Sequence, residues 1–176
     1  MQVFNRMKIL PLFFSFILLF NAGCKKEHII TTVYDNIIFE IDTVPVYASA
    51  NEKDRLKTPL QYISSLYSNL YFSSIPSNEL DNLVIYRLSL GDKNLVNEII
   101  LNSMLKDPEV YSSLPSNDDM RSDIDEFINT TYLRFYLRNP TEYEKYGLRE
   151  IIEEDLTITV IDIYRSFLLS TEYMFY

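Results

Sequence analysis

The chain contains few of the residues on which many active sites depend. Its 176 residues include one cysteine, one histidine and three glycines. A single cysteine cannot form a disulfide within the chain, so stability has to come from packing. The lone histidine, His28, lies near the N-terminus, which excludes a Ser-His-Asp centre or a histidine-based zinc site in the remainder. Only Gly91 and Gly147 follow residue 24, too few for a Walker A loop or a dinucleotide-binding fingerprint.

A long apolar run occurs at the N-terminus. Arg6 and Lys8 precede the apolar stretch Ile9–Phe20, and small residues follow at positions 22 and 23. The stretch is shorter than the roughly 20 residues that span the hydrocarbon core of a bilayer, which disfavours an uncleaved transmembrane anchor. Basic residues, a short apolar core and small residues before a cleavage point are typical of a secretory signal.

The end of this segment resembles the signal peptide of bacterial lipoproteins, with some features of Bacteroidota. Asn21-Ala22-Gly23-Cys24 carries the resemblance, because a cysteine directly follows two small residues. It implies cleavage between Gly23 and Cys24, a thioether-linked diacylglycerol on Cys24 and acylation of the freed amine. Asn21 departs from the family, which usually has Leu or another aliphatic residue there. An ordinary secretory signal, cleaved without lipidation, is the alternative.

The residues after Cys24 bear on the location of the protein. Lys25 is not the Asp that can retain lipoproteins in the inner membrane, and Lys25-Lys26-Glu27 partly resembles a surface-export signal of Bacteroidota. We therefore expect an outer-membrane lipoprotein of the cell envelope, facing either the periplasm or the cell surface. The lipid would be its sole membrane attachment, because no other apolar stretch approaches 18 residues.

Acidic residues dominate the remainder of the chain. The sequence has 16 basic and 25 acidic residues, and two of the basic ones lie in the leader, so residues 24–176 carry a net charge of about −11. Nucleic-acid binding needs clustered Lys and Arg, and an anionic bilayer surface would repel this chain. The composition therefore excludes nucleic acid as a partner. The length after cleavage suits one domain.

Four segments follow from composition and periodicity. We expect residues 1–23 to be the signal peptide, 24–57 a lipid-anchored tether or linker, and 58–112 and 118–176 two helical units of one domain. Ala48–Asp54 is small and polar, as in a linker. The alternation within Ile37–Asp42 is a weak strand signal in residues 29–48, so an edge strand packed on the helices is the alternative to a flexible tether.

Helical spacing begins at Thr58. The predicted helix starts are Thr58 followed by Pro59, Ser77, Asp92, a position near Asp118, and Thr141 with its capping-box partner Glu144. The fourth helix is predicted to continue to Arg138, and residues 112–117 to form a loop. Apolar residues predicted to face the core include Leu60, Ile63, Leu70, Leu83, Val84, Leu88, Leu95, Val96, Ile99 and Ile100.

An internal duplication relates the two helical units. Tyr62–Tyr71 aligns with Phe127–Tyr136 at an offset of 65, and Met104–Glu109 aligns with Phe167–Glu172 at an offset of 63. Residues 157–171 alternate like a strand. Because they align with the third helix of the first unit, we expect them to be helical as well. The sequence therefore predicts an all-α fold, a bundle of about six helices built from two duplicated three-helix units.

Residues 124–176 resemble the phycobilisome-linker-type helical domain and its relatives in bacterial surface proteins. The match is carried by Arg138-Asn139-Pro140 and by the later run Leu169–Tyr173. Leu137 departs from the family, which usually has Gly before the Arg. The resemblance implies an all-α assembly or scaffold module without catalytic residues.

Two acidic clusters are the remaining candidates for chemistry. They are Asp118-Asp119 with Asp123, Asp125 and Glu126, and Glu150 with Glu153-Glu154-Asp155. Carboxylates could bind Ca²⁺, but no EF-hand spacing with its central Gly is present. Solvated charge, favoured near a helix N-terminus, is the alternative interpretation. A carboxylate pair for glycoside cleavage is also conceivable.

These observations favour a membrane-anchored lipoprotein with a non-catalytic helical domain that binds or scaffolds another envelope protein. Cys24, as the lipidation site, is the one site residue predicted, and no catalytic residue, cofactor or metal is expected. A ligand-capturing lipoprotein of a nutrient-uptake system is the alternative. A carboxylate-based hydrolase is a third interpretation.

Overall fold

The computed structural model describes residues 46–176. The signal segment, Cys24, His28 and the possible strand at 37–41 lie outside the described residues. Within residues 46–176 the regular structure is helical, and the β pairing is limited to two isolated bridges, which confirms the all-α fold class. The described residues belong to one compact unit, Asp42–Tyr176. No helix between positions 46 and 176 combines the length and apolar character required to cross a bilayer.

The helices are short and follow each other closely along the chain. In chain order they are α1 (Pro59–Tyr71), α2 (Ser77–Ser89), α3 (Lys93–Leu105), α4 (Pro108–Ser113), α5 (Asn117–Ser122), α6 (Ile124–Tyr136), α7 (Glu142–Glu154) and α8 (Val160–Leu168). Two 3-10 turns, Ala50–Glu52 and Glu172–Met174, flank them. Six of these helices have at least nine residues, in agreement with the predicted number.

Side-chain caps explain most of the helix starts. Thr58 and Thr141 each accept a backbone N–H three residues ahead at 3.3 Å, and Gln61 and Glu144 return the bond to complete capping boxes. Asp92 caps α3 through the N–H groups of the next turn. Since these bonds join residues three positions apart, the sequence alone could reveal them.

Three predicted boundaries were wrong. The predicted fourth helix is divided at Asp123, whose backbone is not helical and whose carboxylate accepts the N–H of Glu126 at 3.0 Å, so that it ends α5 and caps α6. Residues 112 and 113, predicted as loop, belong to α4, which Asp107 caps. Ser77 is the first residue of α2 rather than its cap, because Pro76 occupies the cap position.

The predicted duplication corresponds to a repeated helical pattern. Helices α1 and α6 both have 13 residues, and their starts lie 65 positions apart. Each is followed by a non-glycine residue with a left-handed backbone, Phe72 after α1 and Leu137 after α6, both with φ of 53°. Helices α3 and α8 end 63 positions apart. The ambiguous segment 157–171 therefore contains a helix, α8 at Val160–Leu168, with Thr159 as its cap.

Aromatic rings from α6, α8 and the C-terminal residues form the centre of the core. Phe135 packs edge-to-face on Tyr164 with ring centroids 4.8 Å apart, and Tyr132 packs similarly on Phe167 at 4.9 Å. Such pairs add about 1 kcal/mol each beyond the area they bury. Helices α2 and α7 each have one buried apolar residue, Val84 and Ile152, so both lie at the periphery.

Residues 46–57, which we call the strap, contact the helical body although the sequence placed them in the tether. The Tyr47 N–H donates to the carbonyl of Leu137 at 2.7 Å, and the Lys57 N–H donates to that of Met174 at 2.8 Å. Leu56 forms an antiparallel bridge with Phe175. The described end of the predicted tether is thus fixed to the α6–α7 turn and to residues 169–176, the C-terminal segment.

Candidate functional site

Four charged side chains form an ion network where the strap, the α6–α7 turn and the C-terminal segment meet. Arg138 donates to both carboxylate oxygens of Glu144, at 2.7 and 2.9 Å, and to both of Glu172, at 2.8 Å. Lys53 donates to Oε1 of Glu172 at 2.9 Å. The side chain of Arg138 is 4 % exposed. Two carboxylates therefore balance two cations in a place with little water.

The pKa values in this network shift as expected for paired charges. Hydrogen bonds from Arg138 lower the pKa of Glu144 to about 2. Burial disfavours the charged form of Glu172, but hydrogen bonds from Arg138 and Lys53 hold its pKa below the ordinary value. Hydrogen bonds to both carboxylates raise the pKa of Arg138, and burial lowers that of Lys53. At neutral pH both carboxylates are therefore ionised, which suits a structural role better than proton donation.

The network joins the two parts of the motif that carries the resemblance to the phycobilisome-linker-type domain. Arg138 comes from the Arg-Asn-Pro turn, and Glu172 from the Leu169–Tyr173 run. Leu137, where that family usually has Gly, adopts the left-handed conformation that Gly reaches at least cost. The left-handed backbone at position 137 thus gives a physical reason why that family usually has a glycine there. Membership of this chain in the family stays a prediction.

A small pocket lies beside the network, between the strap, α1 and α6. Its volume is about 160 Å³, and three of its lining side chains are cationic: Lys53, Lys57 and Arg134. We call it the basic pocket. The uncharged lining residues are Tyr47, Ser65, Ser68, Asn69, Phe135, Tyr136, Leu137, Phe175 and Tyr176. Residues 46–176 contain 12 basic and 21 acidic side chains, so three cations at one small cavity are a marked local departure from the charge of the chain.

Two of these cations have no carboxylate partner within the part of the chain that the structure describes. None of its five ion pairs involves Lys57 or Arg134. Lys57 Nζ donates to the carbonyl of Tyr173 at 2.7 Å, and the Arg134 guanidinium donates to the carbonyl of Asn69 and to the hydroxyl of Tyr164. Burial, with a smaller effect of the Lys53 charge, lowers the pKa of Lys57 to about 8. Lys57 and Arg134 are therefore the lining cations that no described carboxylate pairs with.

Large apolar side chains are exposed on helices α2 and α3 and directly after α2. They are Ile85, Tyr86, Leu88, Leu90, Leu95 and Ile99, and we call them the α2–α3 apolar surface. Leu88, Leu95 and Ile99 were predicted to face the core, and each is more than half exposed. Leu95 and Ile99 share one side of α3, because residues four positions apart are neighbours on a helix. The core prediction was wrong here because the other side of α3 packs inward.

The acidic clusters contribute to helix caps and surface ion pairs. Asp119 accepts from the backbone and hydroxyl of Ser116, and Asp125 pairs with Arg149. Asp155 accepts from the N–H of Thr157 at 2.9 Å. Hydrogen bonds lower the pKa of all three carboxyl groups. Between positions 46 and 176 no three His, Cys, Asp or Glu side chains converge in a way that could hold a metal ion.

A second depression, of about 500 Å³, lies between the start of α5 and the start of α8. Asp118 is its one charged lining side chain, beside Tyr111, Leu114, Pro115, Ser116, Asn117, Thr159, Val160 and Ile161. The Asn117 side chain already accepts the Val160 N–H at 2.9 Å. This depression therefore offers few groups that could orient a ligand, and the basic pocket is the stronger candidate.

The sequence-predicted site and the structural sites fall on different residues. Cys24 lies outside the described residues, so its lipidation stays a prediction. The basic pocket is not visible in the sequence, since its cations come from positions 53, 57 and 134, which no motif connects. Two of them lie in a segment that resembles a linker in composition. The resemblance motif was the available signal, because it contains Arg138 and Glu172 of the adjacent network.

Comparisons of this chain with known protein families, with curated proteins and with solved structures found no match.

Proposed function

We propose that this protein is a lipoprotein anchored to the bacterial outer membrane by Cys24, and that its helical domain binds another envelope protein without catalysing a reaction. The α2–α3 apolar surface is the observation that supports the binding role. It places five large apolar side chains on two consecutive helices and a sixth, Leu90, directly after the first of them, and α2 buries Val84 alone. Large exposed apolar patches mark sites of interaction on soluble proteins.

The charge of the chain favours one kind of partner. The chain has a net charge of −9, although α2 itself has Glu79 in its first turn and Arg87 in its last turn. A second copy would bring the same charge to the contact, and an anionic bilayer would also repel it. The expected occupant is therefore a different protein, with an apolar patch and a net basic charge that complements this chain.

A hydrolase has less support. Glycoside cleavage by two carboxyl groups needs a general acid whose pKa is raised. Every resolved pKa shift of a carboxyl group between positions 46 and 176 is downward, and hydrogen bonds or ion pairs account for each. Binding is accordingly the function that these side chains support best.

Site-specific photo-crosslinking in cells tests the proposal. A photo-reactive residue is placed at position 88 or 95 of the full chain, and at position 156 as a control, since Leu156 is also strongly exposed. We expect positions 88 and 95 to crosslink to the same protein and position 156 to leave it unlabelled. Equal labelling from all three positions, or a crosslink between two copies of this chain, would contradict the proposal.

A variant separates binding from folding. Ile99→Ser should abolish the crosslink from position 95, because it removes an apolar neighbour on the same side of α3. Its free energy of unfolding should change by less than about 0.5 kcal/mol, as is usual for exposed positions. Ile100→Ser is the matched control for folding, since Ile100 is buried and its loss should destabilise the domain. Normal crosslinking by a folded Ile99→Ser protein would contradict the proposal that the α2–α3 apolar surface binds the partner.

A further inference from the structure

The basic pocket has more positive charge than its surroundings balance. Lys53 and Lys57 come from the strap, and Arg134 and Arg138 come from α6 and the turn after it. Within residues 46–176, Glu144 and Glu172 are the carboxylates that pair with this group, and both bind Arg138. Four cations share two paired carboxylates, so Lys57 and Arg134 have no ion-pair partner among the described residues beside the cavity.

The position of Lys57 is unfavourable without an anion. Its ammonium group contacts the carbonyl of Tyr173 and lies 4.0 Å from the ring centroid of Tyr173 and 4.9 Å from that of Tyr176. These contacts are weaker than an ion pair. A partly buried ammonium group is normally paired with an anion, or it loses its proton. An anion in the pocket would supply the missing partner and return the pKa of Lys57 toward its ordinary value.

The size and lining of the pocket restrict the ligand. A volume of about 160 Å³ equals that of roughly five water molecules, which suits a small charged group. The Asn69 amide donates one N–H to the Tyr173 hydroxyl at 2.8 Å and has a second to offer. Carboxylate and phosphate oxygens accept several such charge-assisted bonds at once. The aromatic lining residues could cover a short organic part of the same ligand.

We propose that the basic pocket binds a small oxyanion, a carboxylate or a phosphate group, with Lys57 and Arg134 as its principal ligands. The site is independent of the α2–α3 apolar surface and of the lipid anchor. Because the strap supplies Lys57 and α6 supplies Arg134, the anion would also hold the strap against the helical body.

Calorimetric titration of the full mature chain in detergent tests this site. Sodium phosphate and sodium acetate are titrated separately, and sodium chloride keeps the ionic strength constant. We expect saturable binding of phosphate or acetate, and chloride at equal ionic strength should not reproduce it. Tighter binding of phosphate would identify a phosphoryl ligand, and tighter binding of acetate a carboxylate ligand.

Two variants with the same change in charge separate a site from general attraction. Lys57→Gln should weaken binding by about tenfold or more, because one charge-assisted bond is lost. Lys106→Gln is the control, since Lys106 is exposed and lies outside the pocket. Equal weakening in both variants, or no saturable binding of either anion up to about 10 mM, would overturn the proposal.

The unmodified protein provides a second readout that does not depend on the folding of a variant. Binding of acetate, which stays ionised at neutral and alkaline pH, should weaken as the pH rises through about 8, where Lys57 loses its proton. The other groups near Lys57 are Lys53, Arg134, Glu172, Tyr173 and Tyr176. Lys53 also has a lowered pKa and adds to the same trend, while Glu172 stays ionised and Tyr173 protonated in this range. Affinity that does not change between pH 7 and 9 would contradict Lys57 as a ligand.

Discussion

Arg138 connects three parts of the chain through one guanidinium group. It binds Glu144 at the start of α7 and Glu172 in the C-terminal segment, and Glu172 in turn binds Lys53 of the strap. The rings of Tyr132 and Tyr136 lie 5.1 and 5.6 Å from the guanidinium carbon, and they exclude water from it. Partly buried charges are stabilised by their ion-pair partners instead of by water. The loss of one charged side chain therefore leaves the others poorly solvated.

Replacement of Arg138 should therefore be strongly destabilising. Arg138→Leu should lower the free energy of unfolding by about 3–5 kcal/mol, because it leaves Glu144 and Glu172 without their main partner. Arg149→Leu is the control, since its pair with Asp125 has side chains 36 and 49 % exposed, and such pairs contribute less than about 1 kcal/mol. Urea denaturation of both variants measures the difference. A similar loss of unfolding free energy in both variants would show that the Arg138 network stabilises the fold no more than the exposed Arg149–Asp125 pair does.

The same network should make the fold sensitive to acid. The pKa of Glu144 is about 2 in the folded chain against an ordinary value of 4.5, so the unfolded chain binds more protons between these values. The stabilisation is complete above pH 4.5 and is lost as the pH falls toward 2. Unfolding free energies measured across this range should fall more steeply for the native chain than for Glu144→Gln. If the unfolding free energies of the native chain and of Glu144→Gln fall in parallel with pH, Glu144 is not the source of the acid sensitivity.

At the scale of helices, local hydrogen bonds explain what the sequence could predict. Thr58, Asp92 and Thr141 bind backbone groups two or three residues ahead, so the helix starts are visible in short segments. The division at Asp123 follows the same rule, but Asp118 and Asp119 before it are equally plausible caps. The exposure of Leu95 depends on which side of α3 packs inward, and spacing within one helix does not determine this.

Leu137 offers a test of the left-handed turn after α6. Its φ of 53° is costly for a residue with a Cβ, by about 1–2 kcal/mol. Leu137→Gly and Leu137→Ala remove almost the same side chain, so we expect the Gly variant to be more stable than the Ala variant by about 1 kcal/mol. Thermal or urea unfolding of the two proteins gives the comparison.

Leu90, the residue after α2, is the matched control. Its φ of −88° suits any L-residue, so Leu90→Ala should be at least as stable as Leu90→Gly, because glycine loses more backbone freedom on folding. The order of the two variants should thus reverse between positions 137 and 90. If the Gly and Ala variants have the same order of stability at both positions, backbone strain does not explain why the phycobilisome-linker-type domain usually has a glycine where this chain has Leu137.

At the scale of the molecule, the contacts that define the candidate sites connect distant positions. The Lys53–Glu172 bond spans 119 residues, and the basic pocket combines positions 53, 57 and 134. The duplication predicted the order of the helices, since it depends on repeated local patterns. It could not predict the strap, because residues 46–57 belong to neither repeat and gain their structure from the turn after α6 and from the C-terminal segment.

The attachment of this acidic molecule to a membrane is expected to depend on Cys24. Mass spectrometry of the native protein should find residues 24–176 with an acylated Cys24, since several acyl chains are needed for stable anchoring. Cys24→Ser should block cleavage and leave the unlipidated precursor, because the thiol is the atom that the lipid modifies. Asn21→Leu is the control, since it restores the aliphatic residue usual in lipoprotein signals and should leave processing intact. A Cys24→Ser protein cleaved as efficiently as the native chain would instead indicate an ordinary secretory signal, and the helical domain would then be released rather than anchored.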